Sequence, residues 1–437
     1  AASAATRAVA PAAAIDLASA NDSQLRQAQL SLGRATLELE AARASTALPS
    51  VGLAVDLPDL TETGFESKVG ASLTASLPLG WGDGSVTAGL GFTYDVATSE
   101  LAAPSWQVSL SDVLDLASPD TAAARLRTLR WSLEGAERAY ESALADLVIG
   151  TLKTYGALLS EAKRAAWDAD AVVRLASELE QVRDLAAQGY TGDQDVNEAR
   201  LLLLDAQVAA EKSANAYASD LEAFCRATLK IEEPCELSPI ERSIDALLPA
   251  ADALRAGEIP ETAVSGSTTV IEAEHTVTGA EDALREARAD LLPSVSLQAT
   301  LDTEEWSLGV GVSLDLFVPN RRANVEIAEK SLELAKEKLA SARESARNEI
   351  LDLRASLLSA VRDAESLTLE TEKWRLEEQV MSAKRAAGSI SDSEWAQFLE
   401  EKGAFEIDAA GRATSLLLAH LAYRNAVGME LNWEEWL

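Results

Sequence analysis

The sequence contains the same succession of motifs twice, and this internal duplication constrains the fold more than any other feature. The motif Leu-Pro-Ser-Val at 48–51 returns at 292–295, and the glycine turn at Gly189 returns at Gly388. Each copy passes from a helical pattern to alternating strands, then to a very long helical stretch, a glycine turn and a returning helix. We therefore predict an α+β fold built by tandem duplication. Its parts are a first repeat at 1–230, a linker at 231–269, a second repeat at 270–428 and a tail at 429–437.

Alternation of apolar and polar residues predicts six strands. Four lie in the first repeat, within about 50–116, and two lie in the second, within about 294–316. The distance from the Leu-Pro-Ser-Val motif to the proline before the long helix is greater in the first repeat than in the second. The extra stretch, about 66–97, has the length of one hairpin with its loop. We predict an inserted hairpin there. It either joins the other strands or folds apart as a surface structure or plug.

Two very long helices follow the strands. Pro119 and Pro319 each precede a stretch without further proline, 120–188 and 320–387, and proline is well placed in the first turn of a helix. At 1.5 Å per residue such a helix extends roughly 100 Å. Glycine then supplies a left-handed C-cap, and a following Thr, Ser or Asp can cap the returning helix. The sequence therefore predicts two helical hairpins with tips at about 188–195 and 387–394.

Composition limits the possible partners. The formal net charge is −33, so a groove that binds a nucleic-acid backbone is excluded. The carboxylates belong to solvated helix surfaces, to an acidic lumen that favours cations, or to both. No window has the roughly 18 consecutive apolar residues of a membrane-spanning helix, so any contact with lipid must use strands or an anchor. Because the chain opens at Ala1 without a signal-like segment, we expect either the processed end of an exported chain whose signal has been removed or a chain trimmed at this end.

The two cysteines and two histidines suggest no catalytic chemistry. Cys225 and Cys235 are close enough in sequence for a short-loop disulfide in an oxidising compartment, or they are two free buried thiols. His275 and His420 belong to no ligand cluster, and His275 fits a solvated helix face better than a metal site. The sequence has neither a phosphate-binding loop nor a Gly-x-Ser-x-Gly elbow. We expect no enzymatic activity, no metal and no cofactor.

In this duplicated order the sequence resembles the TolC-like outer-membrane efflux proteins, the outer membrane factors, over essentially the whole chain. The resemblance rests on the Leu-Pro-Ser entries to the strands, on the strands at Trp106 and Trp306, and on the two Gly-x-x-x-x-x-Asp/Glu tips. It implies a homotrimer whose strands close one transmembrane β-barrel in the outer membrane, while the long hairpins form an α-helical tunnel in the periplasm. It also implies a passive exit duct of a tripartite efflux or type I secretion system. Such a duct works with a periplasmic adaptor (membrane fusion) protein and an inner-membrane pump.

One departure from the family concerns the strands. Similar proteins usually contribute four strands per chain, whereas this sequence predicts six. If the hairpin at about 66–97 joins a barrel of three chains, the pore has eighteen strands instead of twelve and is wider. Both inserted strands reach the roughly 9–11 residues that span a bilayer.

The resemblance also assigns roles to the tips. It implies that these positions contact the adaptor: Gly189, Thr191, Asp195, Gly388, Ser391 and Glu394. Acidic residues at the tips of similar proteins form a constricting, cation-selective ring, and the candidates here are Asp195, Asp392 and Glu394. The simpler interpretation of these carboxylates is helix capping at an exposed turn.

Two alternatives from other classes remain. A periplasmic coiled-coil adaptor or structural scaffold without a pore would use the long helices to bridge partners and would fold the strands into a soluble domain. A general uptake porin would use the strands but leaves both helical hairpins unexplained. The strands distinguish these hypotheses, because a soluble sheet buries its apolar face in its own core while a barrel turns that face to lipid.

Overall fold

Helices and strands follow one another in the predicted order. The computed structural model describes residues 7–47, 49–56, 60–61, 64–65, 68–78, 85–95, 100–114, 121–240, 247–249, 251, 260–291, 294–302, 306–313, 320–429, 431 and 433. Pro119, Pro319 and most of the predicted tail lie outside these residues, as does the side chain of Asp392.

The described helices include two very long ones. Helix α3 has 67 residues and α7 has 66, which confirms the prediction of two unbroken helices. The helices are α1 (Pro11–Asn21), α2 (Ser23–Ala47), α3 (Thr121–Ala187), α4 (Asp193–Ala223), α5 (Glu261–Ser265), α6 (Thr268–Ala289), α7 (Arg321–Ala386) and α8 (Asp392–Ala426), and a π-helix at Phe224–Thr228 follows α4.

The six predicted strands are present among eleven described ones. They are β1 (Arg7–Val9), β2 (Ser50–Asp56), β3 (Leu60–Thr61), β4 (Gly64–Phe65), β5 (Lys68–Pro78), β6 (Ser85–Asp95), β7 (Glu100–Leu101), β8 (Ser105–Leu114), β9 (Cys235–Leu237), β10 (Ser294–Asp302) and β11 (Trp306–Ser313).

The chain divides into two compact units, and each unit takes segments from both predicted repeats. The first, here called the tip unit, consists of Ala1–Gln27, Glu141–Ser267 and Ser345–Leu437. The second, the sheet unit, consists of Ala28–Tyr140 and Thr268–Glu344. Both hairpin tips belong to the tip unit, and the six long strands belong to the sheet unit.

The main sheet of the sheet unit is antiparallel, in the order β11-β10-β8-β6-β5-β2, with β7 added beside β6. The inserted hairpin is part of this sheet, because β5 pairs with β2 on one side and β6 pairs with β8 on the other. Its own two strands are paired along their full length, from Lys68 opposite Asp95 to Pro78 opposite Ser85. Strands β2 and β11 form the two edges of the described sheet.

Side-chain contacts in the sheet unit link α6 to two other helices. Trp131 of α3 stacks on His275 of α6, with ring centroids 4.5 Å apart and planes 14° apart. Two ion pairs of 2.8 Å, Arg288 with Glu329 and Arg343 with Glu274, join α6 to α7. His275, which was expected on a solvated helix face, is partly buried, because its side chain packs on Trp131 and is 24% exposed.

In the tip unit, α3 and α8 approach closely at two small residues. A Cβ at Gly156 would overlap Thr414, and a Cβ at Gly403 would overlap the ring of Trp167. From the first contact to the second, the position advances by eleven residues on α3 and goes back by eleven residues on α8. The two helices are therefore antiparallel. Helices α3 and α4 form one helical hairpin and α7 and α8 form the other, so this contact joins the two hairpins through α3 and α8.

A buried cluster holds the beginning of the chain to the segment that follows α4. Strand β1 pairs in parallel with β9, and the hydroxyl of Tyr155 donates to the carbonyl of Val9 at 2.8 Å. Burial raises the pKa of Tyr155 to about 12. Cys225 and Cys235 belong to this cluster and are joined by a disulfide, with Cα atoms 6.7 Å apart.

Candidate functional site

One face of the main sheet carries its large apolar side chains, and those side chains are exposed. The cross-strand register aligns them in rows, for example Leu53, Leu73, Leu90 and Trp106 on four successive strands. Exposed fractions reach 73% for Leu53 and 75% for Trp306. The other exposed members are Val51, Val55, Leu77, Phe92, Tyr94, Val108, Leu301, Leu308 and Val310. Exposure on this scale along one face is unusual for a soluble sheet.

The opposite face of the same sheet carries small polar side chains or glycine. One row reads Ser76, Thr87, Ser109 and Thr300 across four strands, and other rows contain glycine, serine and glutamine. Gly91 lies so close to the Ser105 side chain that a Cβ there would force it to move. The sheet therefore has one apolar and one hydrophilic face, the alternation of a strand between lipid and water.

The first hairpin tip is closed by a Schellman turn. The Gly189 and Tyr190 amides donate to the carbonyls of Ala186 and Leu185 at 3.0 and 2.9 Å, and Gly189 has φ +80°. This left-handed conformation favours glycine because it has no Cβ. Tyr190 is 77% exposed at this turn, and no pattern in the sequence had singled it out.

The carboxylate of Asp195 lies at the start of α4. It accepts a hydrogen bond from the Gly192 amide at 2.9 Å, while the Thr191 hydroxyl donates back to the Val182 carbonyl at 3.3 Å. Asp195 thus stabilises the helix start and is also exposed.

The second tip repeats the turn and adds a complete capping box. Gly388 has φ +65° and its amide donates to the Arg385 carbonyl at 3.0 Å. The Ser391 hydroxyl accepts from the Glu394 amide at 3.1 Å, and the Glu394 carboxylate accepts from the Ser391 amide at 2.7 Å. These bonds from Ser391 keep the pKa of Glu394 below its usual range, so this exposed carboxylate stays charged under mildly acidic conditions.

Aromatic side chains reinforce the second hairpin behind its tip. Trp374 of α7 packs on Phe398 and Phe405 of α8, with ring centroids 5.8 Å apart in both pairs. Trp395, next to Glu394, packs on Phe398 at 5.5 Å, and the Arg385 guanidinium lies 5.0 Å from its ring centre. The four aromatic residues are visible in the sequence, but their contact depends on the antiparallel pairing of α7 with α8.

The first hairpin differs at the equivalent position. Counted from the two tip glycines, Leu201–Leu204 of α4 correspond to Glu400–Gly403 of α8. On α8 this segment contacts other helices of the same chain, since Lys402 pairs with Glu378 of α7 at 2.8 Å and Gly403 lies against Trp167 of α3. On α4, Leu201, Leu202 and Leu204 are 62%, 51% and 55% exposed. The four consecutive leucines were a signal that the sequence reasoning missed.

The described residues contain no cluster of three or more His, Cys, Asp or Glu side chains suited to a metal ion. Within the same part of the chain, no helix combines the length and apolarity needed to cross a membrane.

Comparison with known proteins confirms the resemblance inferred from the sequence. Residues 251–422 match the family model described as outer membrane efflux protein. No protein of curated function matches the chain in sequence.

Solved structures with the same fold cover nearly the whole chain. The Campylobacter jejuni CmeC outer membrane channel matches with a TM-score of 0.62 and 15% identity, over 97% of this chain and 86% of its own. A membrane protein from Pseudomonas aeruginosa matches with a TM-score of 0.60 and 19% identity, over 96% and 93%. The outer membrane protein VceC from Vibrio cholerae matches with 0.59 and 15%, over 97% of both chains. At these identities the likeness establishes that the chain shares the fold of these proteins.

Proposed function

We propose that this chain is the outer-membrane exit duct of a tripartite efflux or type I secretion system. In this role it passively conducts substrates from an inner-membrane pump and the periplasm to the exterior. The observation that carries the proposal is the exposed apolar face of the main sheet, opposite a hydrophilic face. Lipid is the environment that such a face requires, and the hydrophilic face then lines a wet pore.

The proposal includes a homotrimer. Strands β2 and β11 are edges of the described sheet, and an unpaired edge is costly in lipid. Pairing β11 of one copy with β2 of the next removes every edge when the ring closes. With three chains of six strands the barrel has eighteen strands, which leaves room for an aqueous channel.

The hairpin tips are the proposed periplasmic entrance and the contact for an adaptor protein. Gly189, Gly388, Ser391 and Glu394 are exposed at two hydrogen-bonded turns. Exposed Asp195 and Glu394, together with Asp392, would form a ring of carboxylates in a symmetric assembly, and such a ring favours cations. The capping role of two of these carboxylates is compatible with a role in the gate, because capping uses only one of their oxygen atoms.

The experiment that tests the function combines mass and current. The purified chain is measured by native mass in detergent and then reconstituted into planar bilayers for single-channel recording. We expect a trimer that gives discrete, cation-selective currents. A monomer that stays soluble without detergent and gives no current would contradict the duct and favour the periplasmic scaffold.

A further inference from the structure

The disulfide of the tip unit joins the two elements that hold the beginning of the described chain. Cys225 belongs to the π-helix at Phe224–Thr228, and Cys235 is the first residue of β9. The segment that precedes α2, Arg7–Asn21, contacts both of these elements and is here called the N-terminal segment. The disulfide therefore fixes the relative position of the two halves of the surface on which this segment docks.

Strand β1 is the first contact of the N-terminal segment. It pairs in parallel with β9, and Arg7 lies directly opposite Cys235 in this pairing. The Arg7 amide donates to the Pro234 carbonyl at 2.9 Å. At the other end of the pairing, the Ser238 amide donates to the Val9 carbonyl at 3.0 Å. An isolated pair of strands is marginally stable in water, so this pairing depends on other contacts that hold β9 in place.

Helix α1 is the second contact. It packs on the π-helix, and the Asn21 side-chain amide at its end donates to the Leu229 carbonyl at 3.2 Å. Asp22 then has an extended backbone, with φ −71° and ψ 129°, so α1 and α2 are separate helices. The N-terminal segment is thus able to leave its place as a unit without unwinding α2. The buried face of α1 consists of Pro11, Ala14, Ile15 and Ala18.

The docked N-terminal segment closes the disulfide off from solvent. Cys225 is 3% exposed and Cys235 is 9% exposed. Val9, Ala14 and Ala18 of the N-terminal segment lie in the same buried cluster as both cysteines. Thiol–disulfide exchange requires that a thiolate reach a sulfur atom, so it is slow at a buried disulfide. If the segment docked first, it would cover both thiols before an oxidant reached them.

We propose that Cys225 and Cys235 are oxidised before the N-terminal segment docks, and that docking then seals the disulfide against thiols. By chemical class the oxidant is a reactive disulfide. The thiolate of one cysteine attacks it to form a mixed disulfide, and the second cysteine then displaces the oxidant. The two cysteines lose two electrons and two protons in this exchange, and the oxidant is reduced to two thiols.

This order differs in two ways from a disulfide that only adds stability. First, the N-terminal segment docks firmly only when the π-helix and β9 are joined. Second, the disulfide is protected only while the segment is docked. Each of these dependences is measured on the purified full chain in detergent, and neither measurement requires an oligomer or a channel current.

Reduction kinetics test the seal. The natural protein and the variant Ala18→Asp are incubated with dithiothreitol, and the thiols that appear are labelled with a maleimide and counted by mass. Ala18 is 1% exposed, so an aspartate at this position favours release of α1 from the buried cluster. Because reduction and oxidation attack the same sulfur atoms, the rate of reduction reports access for both. We expect labelling at least tenfold faster in Ala18→Asp than in the natural protein.

The matched control is Ala13→Asp, which adds the same charge at an exposed position of the same helix. Its disulfide should be reduced as slowly as that of the natural protein. Equal labelling rates in the natural protein and Ala18→Asp would overturn the seal, and so would rapid labelling in Ala13→Asp.

Hydrogen exchange tests whether docking requires the disulfide. Cys225→Ala with Cys235→Ala removes the bond and leaves apolar side chains in the buried cluster. We expect the amides of 7–21 to exchange at least tenfold faster than in the natural protein, while those of the first tip, 188–195, keep their rate. Leu237→Ala opens a cavity in β9 and in the same cluster but keeps the disulfide, so it should raise the exchange of 7–21 by less.

Three results of the exchange experiment would contradict the proposed order. One is unchanged exchange of 7–21 in the double alanine variant. Another is an equal rise in Leu237→Ala, which would assign the effect to lost packing and not to the lost bond. The third is a rise that includes the first tip, which would show general unfolding of the tip unit instead of release of the N-terminal segment.

Discussion

At the scale of single residues, the tip carboxylates combine two tasks that can be separated by isosteric substitution. Glu394 and Asp195 each accept a backbone amide at the start of a returning helix, at 2.7 and 2.9 Å. Glutamine and asparagine keep an acceptor oxygen in the same place and remove the charge. A substitution by serine or alanine would weaken the cap as well as the ring.

We predict that Glu394→Gln with Asp195→Asn preserves assembly and thermal stability but lowers cation selectivity. The reversal potential across a salt gradient in planar bilayers measures this change. For the unsubstituted protein, selectivity should persist as the pH falls to the ordinary glutamate range, because the bonds from Ser391 hold the pKa of Glu394 below it. Glu349→Gln removes the same charge from α7 far from the tip and should leave the reversal potential unchanged. Unaltered selectivity in the double variant would exclude these carboxylates from the gate.

His420 gives the buried part of α8 a dependence on pH. Its side chain is fully buried, and burial, followed by the nearby positive charge of Arg424, lowers its pKa from 6.5 to about 4. Between these values the unfolded state binds a proton that the folded state excludes, so the free energy of unfolding falls as the pH falls from 6.5 towards 4.

We predict that His420→Leu flattens this decline, which amounts to as much as about 1.4 kcal/mol per pH unit. Unfolding midpoints in detergent at pH 7.5 and pH 5 measure it. Leu417→Ala, which opens a cavity at another buried position of α8, should lower stability by a similar amount at both pH values. If His420→Leu loses as much stability between pH 7.5 and pH 5 as the natural protein does, a group other than His420 causes the acid sensitivity.

At the scale of elements, glycine decides how closely α3 and α8 pack. Gly403 leaves the space that the Trp167 ring occupies, and Gly156 does the same for Thr414. Gly411, which lies on α8 like Gly403, has open space around it. The three glycines look alike in the sequence, because a helical glycine that serves close packing has no local signature.

We predict that Gly403→Leu destabilises the tip unit by about 1–3 kcal/mol, because the new side chain would displace Trp167. Gly411→Ala should stabilise by roughly 0.5–1 kcal/mol, since alanine is the better helix former and meets no neighbour. Both are measured as shifts of the thermal unfolding midpoint under identical conditions. A neutral Gly403→Leu would mean that α3 and α8 are not in contact there.

At the scale of the whole molecule, the inserted hairpin adds two strands without altering the direction of any other. Because β5 and β6 lie as a pair between β2 and β8, removing them leaves β2 and β8 antiparallel and able to pair directly. The proposed barrel would then have twelve strands.

We predict that deletion of 66–97 preserves the trimer and lowers the single-channel conductance, because a barrel of fewer strands is narrower. An unchanged conductance would contradict the proposal that the hairpin lines the pore.

The sequence by itself determined the order and the type of the elements. Period-2 alternation, the long stretches without proline between Pro119 or Pro319 and the tips, and glycines at Gly189 and Gly388 are local signals, since each depends on the backbone preferences of neighbouring residues. That is why six strands, two long helices and two tips were predicted within a few residues. The resemblance to outer-membrane efflux proteins followed from the same order.

Only the tertiary structure decided which elements are neighbours. The position of β5 and β6 inside the sheet, the stacking of His275 on Trp131, the contact of Gly403 with Trp167 and the exposure of Leu204 all depend on pairs of residues far apart in the chain. Periodicity marks a residue as apolar but does not say whether its partner is the core, lipid or another copy. Which of these an apolar residue contacts depends on how whole helices and strands pack together.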